Sequence, residues 1–69
     1  MTRLKHERRK RRLSQTALGK AAGLPQPTLS QIERGRLLPT DEQLARLASF
    51  FDVLPGELLK EVVIIEVRA

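Results

Sequence analysis

Between Ser14 and Pro55 the sequence stops and restarts a helix at short intervals, and this punctuation limits the fold more than any other feature. Ser14 is a good N-cap, because its hydroxyl can accept an orphan backbone N–H. Gly23 and Gly35 suit C-terminal positions that need a left-handed backbone. Pro27 and Pro55 suit the first position of a helix. Thr40 and Gln43 form a Thr-x-x-Gln capping box, and Asp52 and Val53 break the segment that follows it. Only short helices fit between such marks. The chain has 69 residues, enough for one domain with a small core. It has no cysteine, which excludes disulfides and thiolate zinc sites, and its single histidine, His6, cannot build a metal site. Stability must come from helix packing or from a partner subunit.

Five helices are predicted. The first covers Thr2 to Arg11, with Leu4, Arg8 and Arg11 on one face. This puts Arg8 beside the core, where its guanidinium needs a partner. The second runs through QTALGKAA, with Ala17, Leu18, Ala21 and Ala22 facing inward. Gly19 inside it costs up to about 1 kcal/mol relative to alanine, which suggests close packing. The third starts at Pro27, because proline disfavours helical angles at the residue before it, Gln26. Leu29 and Ile32 then point inward. Pro27, Ser30, Gln31 and Arg34 point outward, with Thr28 and Glu33 on the flanks. In the fourth, Leu44, Leu47, Ala48 and Phe51 recur at i, i+3, i+4 and i+7. The fifth is PGELLKE, and the β-branched tail VVIIEVR favours an extended form.

The formal net charge is +5 and the pI about 10.8, a balance that favours an anionic partner. The densest basic run is HERRKRR, His6 to Arg12. The outer face of the third helix carries amides, hydroxyls and a cation, which match the major groove of DNA. Glutamine can bond adenine through two atoms, and hydroxyls can donate or accept. No nucleophile with a base, no metal cluster and no phosphate loop is legible. Gly19–Lys20 lacks the glycine-rich lead of a phosphate loop. An enzyme is therefore not expected, nor a cofactor, nor a small-molecule substrate. The apolar run Val62–Ile65 is too short to cross a bilayer and the basic start leads into no leader-like stretch, so the expected location is the cytoplasm.

The segments LSQTALGKAAGLPQPTLSQIERGRLLPT and LARLASFFDVLPGELL together resemble the lambda-repressor-like Cro/CI helix-turn-helix domain of the XRE family of transcriptional regulators. The likeness covers about Leu4 to Leu59. It implies an all-α, compact five-helix DNA-binding fold whose third helix lies in the major groove, in a protein that binds double-stranded DNA as a homodimer. It further implies that Gln15 touches a phosphate and steadies Gln26. Gln26, Thr28 and Gln31 would reach base edges or nearby phosphates, joined by Ser30, while Arg34 and Arg36 grip the backbone. Arg8 would pair with Glu33 as a structural ion pair. Ala17, Gly19 and Pro27 depart from common family residues, and Pro27 offers a base only apolar contact, such as to a thymine methyl. Arg9, Arg11, Arg12 and Lys20 are candidates for further phosphate contacts.

Residues 1–61 are expected to form the DNA-binding domain and residues 62–69 an extended segment. An uncovered apolar strand is an aggregation hazard. Val62–Val67 is therefore expected to pair across a two-fold axis, helped by Leu58 and Leu59, or else to fold back on its own core. A two-fold dimer places recognition helices about 34 Å apart and calls for a short palindrome. Two functions follow: a regulator, in the form of a repressor occupying an operator, or an antitoxin-type module whose VVIIEV segment also binds a protein partner.

Overall fold

The computed structural model describes residues 1–63. Its elements are α1 (Arg3–Lys10), α2 (Gln15–Ala22), α3 (Gln26–Glu33), α4 (Asp41–Phe51) and α5 (Pro55–Leu58). The N-caps follow from local chemistry. Thr2 and Ser14 accept the N–H groups of Lys5 and Ala17, and Thr40 forms a full capping box with Gln43. The four longer helices end alike. A residue in the left-handed region, Arg12, Gly23, Gly35 or Asp52, is followed by an N–H that bonds a carbonyl five residues back. These bonds run from Leu13 to Arg8, Leu24 to Gly19, Arg36 to Gln31 and Val53 to Ala48, at 2.8–3.1 Å.

α3 begins one residue earlier than the sequence suggests. Pro25 is its N-cap, Gln26 its first residue, and Pro27 stands within the first turn. The bias against helical angles before proline is a preference. Here it is outweighed by the Leu29 N–H, which closes onto the Pro25 carbonyl at 3.1 Å, while Pro27 lacks a donor where none is used. α5 is also shorter than PGELLKE, since Leu59 caps it.

Each helix sends side chains to one core: Leu4 from α1, Leu18 and Ala22 from α2, Leu29 and Ile32 from α3, Leu47, Ala48 and Phe51 from α4, and Leu58 from α5. Leu24 fills the α2–α3 turn. Burying such a side chain contributes roughly 1.5–3 kcal/mol. The inward face of α2 is Leu18, Gly19 and Ala22; Ala17 and Ala21 are exposed, contrary to the sequence reading. The shift follows from the sharp turn into α3, which brings the Leu24 carbonyl against Gly19. A Cβ at Gly19 would overlap that oxygen, so the close approach suggested by this glycine is made to backbone.

After α5 the chain returns to its own start. Thr2 and Glu61 form an antiparallel bridge, the Arg3 N–H donates to the Lys60 carbonyl, and the Val62 N–H donates to the Met1 carbonyl, both at 2.8 Å. Val62 is half-buried there and Val63 is exposed. The expected pairing of Val62–Val67 extends into residues 64–69, which lie outside the described residues. Leu58 is fully buried in its own core and offers nothing to a partner, which corrects its expected place in a dimer contact. Among the described residues no helix is long and apolar enough to cross a membrane.

Candidate nucleic-acid interface

The site grows outward from a buried acid. Glu33 ends α3 on the flank that turns toward α1 and α2, and its side chain is 2 % exposed. A carboxylate so placed requires donors on both oxygens. Arg8 supplies two: its Nε donates to Glu33 Oε2 at 2.6 Å and its Nη2 to Oε1 at 3.0 Å. A third bond, from Arg8 Nη1 to the Leu13 carbonyl at 2.8 Å, fixes the guanidinium to the α1–α2 loop. The pair thus ties three parts of the chain in a bidentate geometry that favours arginine.

From Glu33 the bonds continue to the surface. Gln15, the first residue of α2, donates from Nε2 to Glu33 Oε1 at 3.1 Å. Gln26, the first residue of α3, donates from Nε2 to Gln15 Oε1 at 2.7 Å. Two side chains eleven residues apart are joined because α2 and α3 start close together, on either side of the Gly23 turn. Gln26 is exposed, so the series Arg8, Glu33, Gln15, Gln26 runs from the interior to the start of the third helix.

The other predicted contact residues lie around it. Pro27 and Gln31 are exposed, while Thr28 and Ser30 are half-buried. Arg34 caps α3, and Arg36 follows the left-handed Gly35; both are exposed. Among the described residues, Arg9, Arg12, Lys20, Arg34 and Arg36 are exposed cations outside any ion pair. Arg11 differs from its expected role. It bonds the Glu7 carboxylate, and its guanidinium lies 4.8 Å from the centre of the Phe51 ring, so it is committed to the fold.

Sequence reasoning missed Glu7. It is buried and bound by Arg3 and Lys10 of its own helix and by Arg11, that helix's C-cap. Burial pushes its pKa up, but the hydrogen bonds from Arg11 and Arg3 and the nearby Lys10 outweigh this and hold it at about 2. The signal was present as basic residues at i−4, i+3 and i+4 from an acid.

With this geometry in place, comparison with known proteins identifies the kind of domain. A family model described as helix-turn-helix domain matches residues 2–62. The chain belongs to the helix-turn-helix domain family. Within it the chain is of the XRE, Cro/CI-like type, a DNA-binding regulator. The helix-turn-helix fold matches the restriction-modification controller protein C.AhdI from Aeromonas hydrophila with a TM-score of 0.74 and 32% identity, over 83% of this chain and 86% of that one. It matches the N-terminal DNA binding domain of SinR from Bacillus subtilis with a TM-score of 0.75 and 32% identity, over 86% of this chain and 87% of that one. The sequence is also 42% identical over 45 residues to the ImmF control region 10 kDa protein of Bacillus phage phi105, and these residues make up 65% of this chain. They span 50% of the phage protein's length. In the helix-turn-helix unit itself, α2 and α3 are the paired helices, and the Gln15–Gln26 bond crosses between their first residues.

Proposed function

We propose that this helix-turn-helix protein is a repressor that occupies a palindromic operator as a homodimer, each copy laying α3 in the major groove of one half-site. The observation that carries the reading is the braced Gln26 amide at the exposed start of α3. A side chain already held in place loses less freedom on meeting a base edge, so its contact discriminates better. Thr28, Ser30 and Gln31 follow along the same helix as further base or phosphate contacts, and Pro27 offers an apolar surface. Gln15 retains a second N–H for a phosphate. Arg34 and Arg36 add backbone contacts that supply affinity without sequence information. The likeness to a protein of a phage control region and to a restriction-modification controller supports the reading as a regulator.

The test is selection of bound duplexes from a random pool, followed by sequencing. The expected result is an inverted repeat whose half-sites lie about one helical turn apart. A selected pool with no shared sequence would overturn the proposal. Arg36→Ala should weaken binding to all sequences similarly and reduce the salt slope by about 1.

A further inference from the structure

We infer that Glu33 is a positioning residue for base readout: its carboxylate sets the polarity of the Gln15 amide and, through it, which atoms of Gln26 face a base. The inference rests on the reading of α3 as the base-contacting helix.

A primary amide has a donor end and an acceptor end of nearly the same shape. A half-turn of the group exchanges them with little steric consequence, so neighbouring charge must select between the two. Glu33 can only accept, it is buried, and Arg8 holds both of its oxygens in place. Gln15 must therefore turn its nitrogen toward Glu33, since the reversed amide would set oxygen against oxygen about 3 Å apart. Its Oε1 is then presented to Gln26, which answers with Nε2 at 2.7 Å. Gln26 is left with its Oε1 as acceptor and one N–H as donor. That pair complements the N6 amino group and N7 of adenine. Guanine presents two acceptors, O6 and N7, and does not match. An uncharged amide at position 33 can donate or accept, and the direction of the whole series is lost. Glu33 touches no base, yet it dictates the pattern that a base meets.

The test starts from the duplex selected by the wild-type protein. Competition binding is then measured on duplexes that exchange one base pair at a time. The Gln26→Ala variant identifies the position at which adenine preference depends on Gln26. Glu33→Gln is expected to lower the adenine-over-guanine preference at that position by about tenfold, with preferences elsewhere unchanged. An unchanged preference in a folded Glu33→Gln protein overturns the inference. If that variant fails to fold, Arg8→Met combined with Glu33→Leu replaces the buried ion pair by an apolar one, an exchange often tolerated. The same loss is expected and the same constancy is fatal.

A measurement on the wild-type protein stands apart from any variant. By NMR, one of the two Gln15 side-chain amide protons should exchange with water more slowly than the other, because it faces Glu33. Equal exchange contradicts the inference. If Gln26→Ala alters no base preference, the base-reading role of Gln26 fails and the inference with it, while the reading of α3 is judged separately by the selected duplex.

Discussion

Two buried acids, Glu7 and Glu33, are each held by arginine, and they serve the molecule differently. All the cationic partners of Glu7 lie on its own helix or at that helix's end: Arg3, Lys10 and the C-cap residue Arg11. The cluster reaches beyond α1 through Arg11, which lies over Phe51 and donates to the Phe51 carbonyl at 3.4 Å. The partners of Glu33 come from α1 and α2, and through Arg8 it is linked to the loop between them. From there the bonds lead to an exposed side chain on α3. A local cluster can stabilise a helix and one packing contact. A cluster drawn from several elements also transmits geometry to the surface. Identical side-chain chemistry thus divides into support and positioning according to where the partners sit in the chain.

The contrast is tested most severely at Arg8. Arg8→Ala leaves Glu33 buried without its cation and should cost about 3–5 kcal/mol, enough to unfold much of so small a domain. Chemical denaturation measures it, and a loss near that of an exposed pair would break the distinction. Gly19→Ala acts on the turn that brings Gln15 and Gln26 together. Its Cβ overlaps a backbone oxygen that cannot move aside, so a loss of roughly 1–3 kcal/mol is expected by thermal melting.

Glu7→Gln should cost less, about 1–2 kcal/mol, because Arg3 and Arg11 are exposed enough to be solvated once released. The pH response sharpens the comparison. The folded pKa of Glu7 is held at about 2 against an ordinary value of 4.5. A lowered pKa gives stability that is present above the ordinary value and lost as pH falls toward the folded one. Stability should therefore decline between about pH 4.5 and 2, and Glu7→Gln should flatten that part of the profile. The smallest change in stability is expected for Gln15→Ala, under roughly 0.5 kcal/mol, since Gln15 lies at the outer end of the series. Its effect should appear instead as weaker base preference at the Gln26 position.

Much of this was legible in the residues. Thr40 with Gln43, Ser14, Gly23 and Gly35 marked helix ends because their chemistry is local. Leu29 and Ile32, and Leu47, Ala48 and Phe51, were readable from helical periodicity. Arg8 announced a need for a partner by its position beside Leu4. Other features escaped. The inward turn of Gly19 in place of Ala17 and Ala21 depends on the backbone of α3, which periodicity within α2 does not contain. The break at Asp52 was read from the sequence, but the left-handed backbone at Arg12 and Asp52 was not, because neither residue has glycine's freedom. Gln26 entered the helix despite Pro27 because a backbone bond from Leu29 to Pro25 prevailed over a local preference. At the site, the Arg8–Glu33 and Gln15–Gln26 pairings came into view through resemblance to a family. The bond from Gln15 to Glu33 that joins them did not, because it is visible only once α1, α2 and α3 are assembled.

The most direct test of α3 as a base-reading surface is a pair of dissociation constants at physiological salt, one for the selected duplex and one for a scrambled duplex of equal length. A ratio of about a thousand or more is expected, falling sharply for Gln26→Ala. Equal constants for the two duplexes would contradict it.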